Sequence, residues 1–205
     1  VNELTPRAQL ADAVNTIVRR EHELIGDNTD GAGLLTDLQQ NLALRWHAPR
    51  ILVLGAGGAA RGALAPLLGL EPSTLLIANR TPERAAAVAR EFAHLGHVAA
   101  GSFEAVAREA PFDLIVNATS ASLKGELPPI AASAISPGTA CYDMAYGVGE
   151  TPFTQWSRRC GAGVVAQGWG MLVEQAAEAF ELWRGVRPRT APVLLALRAQ
   201  AEAEG

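Results

Sequence analysis

Read for its apolar and polar positions, the chain is a series of short apolar runs set between longer helical stretches. Runs at 51–54, 75–78, 97–99, 114–116, 140–142 and 164–166 have strand length and are continuously apolar rather than alternating. A strand reads that way when both faces of its sheet are covered. Alternation of such strands with helices predicts an α/β fold with a doubly wound, Rossmann-like parallel sheet. The two ends of the chain break the pattern. Thr5 followed by Pro6 reads as a cap and first turn of a short helix to about residue 11, and strand-like pieces follow at 16–19 and 23–25. Near the other end, residues 171–183 carry Leu172, Ala176, Ala179, Phe180 and Trp183 on one helical face, expected to be core, with Gly185 and Pro188 as stop signals. Neither end belongs to a six-stranded sheet, so both are expected to be remnants of a second α/β unit. The expected division is 1–27, a nucleotide-binding domain over 28–168, and helices returning to the second unit over 169–205.

Composition narrows the class of function. A chain of 205 residues that is 49% apolar can bury one core and part of another. A net charge of −4 with no basic run argues against a nucleic-acid surface. No apolar stretch approaches the roughly 18 residues of a membrane span, and the start does not read as a signal peptide, which points to the cytoplasm. Cys141 and Cys160 have neither metal-ligand spacing nor disulfide density and read as reduced thiols. His22, His47, His94 and His97 are scattered without ligand spacing, so no metal site is expected.

The chemistry begins at the turn Gly55-Ala56-Gly57-Gly58-Ala59-Ala60-Arg61-Gly62, directly after one apolar run and directly before a helical one. This is the form of a βα dinucleotide-binding turn, in which glycines let backbone N–H groups approach a pyrophosphate at the positive end of a helix. In the NAD-binding version an acid about 20 residues on receives the ribose hydroxyls. Here the second strand ends in Asn79-Arg80-Thr81-Pro82-Glu83-Arg84. A guanidinium at Arg80, joined by Arg84 one turn later, suits a 2′-phosphate and predicts NADP rather than NAD.

Eight segments, which lie along the chain in the family's order, resemble the shikimate dehydrogenase family. They are the Gly55 turn, Asn79-Arg80-Thr81, Ala13-Val14-Asn15-Thr16, Gly26-Asp27-Asn28-Thr29-Asp30-Gly31, Asn117-Ala118-Thr119-Ser120, Tyr142-Asp143-Met144-Ala145-Tyr146, Glu150-Thr151-Pro152-Phe153 and Gly168-Trp169-Gly170-Met171-Leu172-Val173-Glu174-Gln175. The resemblance implies reversible NADPH-dependent reduction of 3-dehydroshikimate to shikimate, a step toward aromatic amino acids. It implies that Asn15, Asp30, Tyr146 and Gln175 bind the substrate, with Asp30 at the reacting centre. It also implies that Gly55, Ala56, Gly57, Gly58 and Ala59 hold the pyrophosphate, that Asn79, Arg80, Thr81 and Arg84 hold the 2′-phosphate, and that Thr119, Met144 and Gly168 complete the cofactor site. A carboxyl at an ordinary pKa of about 4 is ionised at neutral pH, so Asp30 is expected to orient a hydroxyl better than it gives up a proton.

Two departures from the family shape the remaining expectations. The family's proton-transferring lysine, in an Asn-x-Thr-x-Pro-x-Lys segment upstream of Asn15, and its Ser-x-Ser pair have no counterpart in these 205 residues. The sole lysine is Lys124, in a polar loop, where it reads as a solvated charge. Impaired turnover and exposed apolar faces favouring a homo-oligomer are therefore expected. Trp169 stands where the family commonly has a smaller aliphatic residue and is expected to narrow the nicotinamide pocket. The alternatives are a quinate/shikimate dehydrogenase, against which Asn79-Arg80 argues, a glutamyl-tRNA reductase, which leaves Asp30 and Gln175 unexplained, and a non-catalytic NADP-binding module.

Overall fold

The computed structural model of the chain describes residues 1–109 and 111–203, so the last two residues of the expected 169–205 segment lie outside it. Strand β1 (Glu3–Leu4), helix α1 (Pro6–Ala11) and strands β2 (Thr16–Arg20) and β3 (Glu23–Asp27) open the chain. They form a sheet of their own in the order β1-β3-β2, with β1 parallel and β2 antiparallel to β3. Both strand-like pieces are present, each running one or two residues further than its apolar pattern, whereas β1 is too short to leave a periodic signal.

Helix α2 (Asp30–Thr36) continues as a π-helical turn (Asp37–Asn41) and leads into β4 (Arg50–Leu54). Then come α3 (Gly58–Leu68), β5 (Thr74–Ala78), α4 (Pro82–Phe92), β6 (Val98–Gly101), α5 (Phe103–Val106), β7 (Leu114–Asn117), β8 (Ala140–Asp143), α6 (Pro152–Arg159) and β9 (Val164–Gln167). These six strands form one all-parallel sheet in the order β6-β5-β4-β7-β8-β9. Its strand order reverses at β4, which sends the connections over opposite faces and opens a crevice at the strands' carboxyl ends. The continuous apolar runs serve two cores at once. Ile51, Val53, Leu75, Ile77, Leu114, Val116 and Tyr142 point into one, while Leu52, Leu54, Leu76, Ile115 and Cys141 point into the other.

The chain ends in α7 (Trp169–Arg184) and α8 (Ala191–Ala203). The face of α7 expected to be core is largely outward. Ala176 is exposed, and Phe180 and Trp183 are 40% and 56% exposed, although Ala179 is buried. Gly170, Met171, Val173, Glu174 and Ala177 are buried instead. Glu174 breaks the apolar pattern of the true inner face and is held there by Arg187 at 3.1 Å and Asn41 at 3.2 Å. Trp183 lies against the small sheet, its Nε1 donating to the Ile17 carbonyl at 2.9 Å.

Helix α2 packs between α3 and α7, and glycine permits that approach. A Cβ on Gly33 would lie 2.7 Å from the Gln175 nitrogen and 2.8 Å from the Met171 carbonyl. Ionic contacts lock the small sheet to the same helices. Asp27 receives Arg7 in a fork at 2.7 and 2.6 Å and the Thr5 hydroxyl at 2.5 Å, and Arg7 also reaches Glu178 at 2.8 Å. Burial pushes the Asp27 carboxyl up, but these donors outweigh it and hold the group below the usual carboxylate range.

Candidate active site

Two cavities lie along the carboxyl edge of the parallel sheet. The first, of about 490 Å3, is lined by Gly55, Ala56, Gly57, Gly58 and Ala59 after β4, by Asn79 and Arg80 after β5, and by Thr119 and neighbours after β7. Gly55 has φ +105°, a left-handed conformation that favours glycine. Above Gly57 and Gly58 the space is open, since a Cβ on either would meet nothing within 4 Å. Gly57 is the N-cap of α3 and offers no side chain to its first turn, so the leading N–H groups of α3 face the cavity uncapped. Asn79 Nδ2 donates to the Thr81 carbonyl at 2.9 Å and closes the turn that carries Arg80. Among the described residues neither Arg80 nor Arg84 is in an ion pair. Thr81 and Arg84 are exposed beyond the cavity lining. Uncapped N–H groups, open space and an uncommitted guanidinium fit a dinucleotide that carries an extra phosphate.

The second cavity, of about 380 Å3, is lined by Asn15, Asp30, Met144, Tyr146, Gly168, Met171, Leu172 and Gln175. Residues far apart in the chain thus converge on one cleft between the small sheet, α2 and α7, with Asn15, Asp30 and Gln175 set among Met144, Tyr146, Met171 and Leu172. Asn15 Nδ2 donates to Asp30 Oδ1 at 2.7 Å, and the Asn15 Oδ1 accepts from the Thr29 nitrogen at 3.0 Å. The Thr29 hydroxyl lies 3.2 Å from both Asn15 Oδ1 and Gln175 Oε1 and, with one hydrogen, donates to one of these amide oxygens at a time. Asn28 Oδ1 accepts from the Asp30 nitrogen at 3.1 Å and fixes the start of α2. Burial pushes the Asp30 carboxyl above its ordinary range, and the Asn15 bond only partly offsets this. The expectation of an unperturbed carboxylate is therefore corrected: Asp30 holds a proton more readily than a free aspartate.

Trp169 is not among the residues lining the Asp30 cavity; its ring lies tilted against Tyr146, centroids 4.9 Å apart at 48°, and it borders a separate cavity with Gln167 and Arg198. Lys124, expected as a solvated loop charge, is exposed but borders the Gly55 cavity.

Asn117 and Asp143, which carry no expected role within their family-like segments, organise the loops around both cavities. Asn117 donates to Asp143 at 3.1 Å and to Ser122 at 3.1 Å, and accepts from the Thr119 hydroxyl at 2.7 Å. Asp143 accepts from Ser122 and Thr151 at 2.6 Å each and from the Ala145 nitrogen at 3.2 Å. Burial raises the Asp143 carboxyl while those donors lower it, with a net upward shift. The available signal was a single polar residue closing each apolar strand, Leu-Ile-Val-Asn and Ala-Cys-Tyr-Asp.

A parallel sheet whose crevice joins a dinucleotide cradle to a cleft holding a partly buried carboxyl defines a nucleotide-dependent oxidoreductase of the α/β class. The comparisons with known proteins make the assignment particular. Residues 37–124 match the family described as shikimate / quinate 5-dehydrogenase, and residues 168–198 match the shikimate 5′-dehydrogenase C-terminal domain. The chain is 55% identical over 195 residues to a shikimate dehydrogenase (NADP(+)) of Methylococcus capsulatus, covering 95% of this chain and 70% of that protein. It is 54% identical to one of Aeromonas hydrophila, covering 97% and 72%. Among solved structures it resembles an Ael1 enzyme from Pseudomonas putida at TM-score 0.90 and 45% identity, over 96% of this chain and 72% of that one. It also resembles shikimate 5-dehydrogenase of Thermus thermophilus in complex with NADP(H) and shikimate, at TM-score 0.82 and 32% identity over 98% and 73%. The chain belongs to the shikimate dehydrogenase family.

Proposed function

We propose that this chain is an NADP-dependent shikimate dehydrogenase interconverting 3-dehydroshikimate and shikimate in aromatic amino acid biosynthesis. The observation that carries this reading is the convergence of Asn15, Asp30, Tyr146 and Gln175 with Met144 and Gly168 on one cavity. When bound, the nicotinamide supplies or accepts the hydride. The N–H groups at the start of α3 bind the pyrophosphate, and Arg80, with Arg84 at the rim, binds the 2′-phosphate. Asn15 and Gln175, held by Thr29, orient the substrate hydroxyls, and Tyr146 closes the cleft over the ring. Asp30 is the carboxyl at the reacting hydroxyl, where it exchanges a proton with it; with the family's proton-transferring lysine having no counterpart in these 205 residues, turnover is expected to be impaired.

On the same reading residues 28–168 are the nucleotide side, while 1–27 and 169–205 belong to the substrate side. The apolar groups left outward at Ile17, Phe180 and Trp183 are a surface for a second copy, which sedimentation would detect. Among the described residues no helix is long and apolar enough to cross a membrane, in keeping with a cytoplasmic enzyme.

The test follows absorbance at 340 nm with NADP+ and shikimate, with quinate in a parallel arm. Shikimate-dependent NADPH formation that falls about 10²- to 10⁴-fold in Asp30→Asn supports the reading. Undiminished turnover in Asp30→Asn or a preference for quinate overturns it, and NADP+ binding with no NADPH formed by the unmodified chain would make it a non-catalytic NADP-binding module instead.

A further inference from the structure

Lys124 is the cation lining the Gly55 cavity that has no role in the reading above. It ends a 3-10 turn (Ser122–Lys124) in the segment leaving β7, and Gly125, at φ +71°, terminates that turn. The segment is pinned rather than loose. Ser122 receives Asn117 at 3.1 Å and donates to Asp143 at 2.6 Å, and the Lys124 nitrogen donates to the Ala121 carbonyl at 2.9 Å. Among the described residues Lys124 makes no ion pair, and no shared partner draws it away from the cavity.

Topology decides which anion lies within its range. Strand β4 lies between β5 and β7, so Arg80 and Lys124 border the cavity from opposite sides of the Gly55 turn. The β7 exit packs directly on that turn: the Ala118 nitrogen donates to the Leu54 carbonyl at 2.9 Å, and a Cβ on Gly55 would sit 3.0 Å from the Ala118 carbonyl oxygen. Arg61, the other cation near the turn, is turned away into a 2.6 Å pair with Glu91 and lies over the Phe92 ring. The remaining charged group lining the cavity, Glu126, repels phosphate. A pyrophosphate on the α3 N-terminus therefore has Lys124 as an uncommitted side-chain cation on the same cavity, across the Gly55 turn from Arg80.

We propose that Lys124 binds the pyrophosphate of the dinucleotide, an inference that rests on the NADP reading above and adds a residue to it. Because NADP and NAD share the pyrophosphate, Lys124 strengthens both without choosing between them, whereas Arg80 chooses.

The test is calorimetric titration of NADP+ and NAD+ into the unmodified chain, Lys124→Met and Lys124→Arg. Lys124→Met is expected to weaken both nucleotides by a similar factor, about three- to tenfold for one charge-assisted contact in an open cleft, with Lys124→Arg restoring most of the loss. Unchanged affinities in Lys124→Met would return the residue to solvent and overturn the proposal. Weakening of NADP+ alone would place Lys124 on the 2′-phosphate and overturn it as well. Failure of the unmodified chain to bind NADP+ would instead overturn the underlying reading, and with it the premise.

Discussion

Tyr142→Phe removes one oxygen from the centre of the molecule, and the structure says what that oxygen does. Tyr142 is 1% exposed on β8; its hydroxyl donates to Asp37 Oδ2 at 2.6 Å and accepts from the Met171 nitrogen at 3.3 Å. The first contact anchors the π-helical end of α2. The second caps α7, whose N-cap Gly168 has no side chain to do so. Phenylalanine keeps the ring and leaves no cavity, so the loss is confined to hydrogen bonding. A donor withdrawn from a buried carboxylate is worth about 1.5–3 kcal/mol and an orphaned helix N–H about 0.5–1.5, together about 2–4.5 kcal/mol. For a chain of this size that lowers Tm by about 5–15 °C.

The pH dependence has a definite sign. Burial raises the Asp37 carboxyl, while Tyr142 and Asn41 donating to it pull it back, with the net shift upward. A carboxyl raised in the folded state penalises folding fully above its folded pKa and not at all once protonated in both states. Loss of the Tyr142 donor raises it further, so the deficit is largest near neutral pH and narrows as pH falls. Thermal melting across pH 5–8, with Asp37→Asn alone and combined, reads both quantities. With Asp37→Asn in place the Tyr142→Phe loss should shrink by about half or more. A Tm shift under about 2 °C, or full additivity of the pair, refutes the argument.

Three further outcomes follow from other contacts. Arg7→Met leaves Asp27 buried without its forked partner and should cost about 2–3 kcal/mol near neutral pH, discounted for the partial exposure of Arg7. The folded Asp27 pKa is depressed, so this stabilisation is present above the unfolded carboxylate value and disappears as pH falls through the folded one; urea unfolding at pH 7 and about pH 4 should show the gap closing. Gly33→Ala should cost about 1–3 kcal/mol and weaken shikimate binding, because the added methyl drives α2 from α7 and separates Asp30 from Gln175. Burial pushes the Cys141 thiol up to about 11, whereas Cys160 is partly exposed, so a thiol reagent at pH 8 should label one cysteine in the native protein and two in urea.

The six strands were legible because each carries an apolar run of three or four residues flanked by turn signals, a pattern that a two-sided sheet imposes on any sequence. The Gly55 turn was legible for the same local reason. The inner face of α7 was not. Its first half is apolar on more than one side, and its buried arc includes Glu174, whose partners Asn41 and Arg187 lie on other parts of the chain. The residues of the Asp30 cavity came from family resemblance, since nothing in spacing joins Asn15 to Gln175 across 160 positions. Asn28 and Thr29 stood inside a recognised segment, yet their part in fixing Asp30 and the two amides depends on three-dimensional contact.

The most direct check is a calorimetric comparison of NADP+ and NAD+ on the unmodified chain and on Arg80→Gln. The account predicts that NADP+ binds at least about tenfold more tightly than NAD+, and that Arg80→Gln removes most of this preference while leaving NAD+ binding nearly unchanged. Equal affinities for the two nucleotides, or a preference that survives Arg80→Gln, would contradict it.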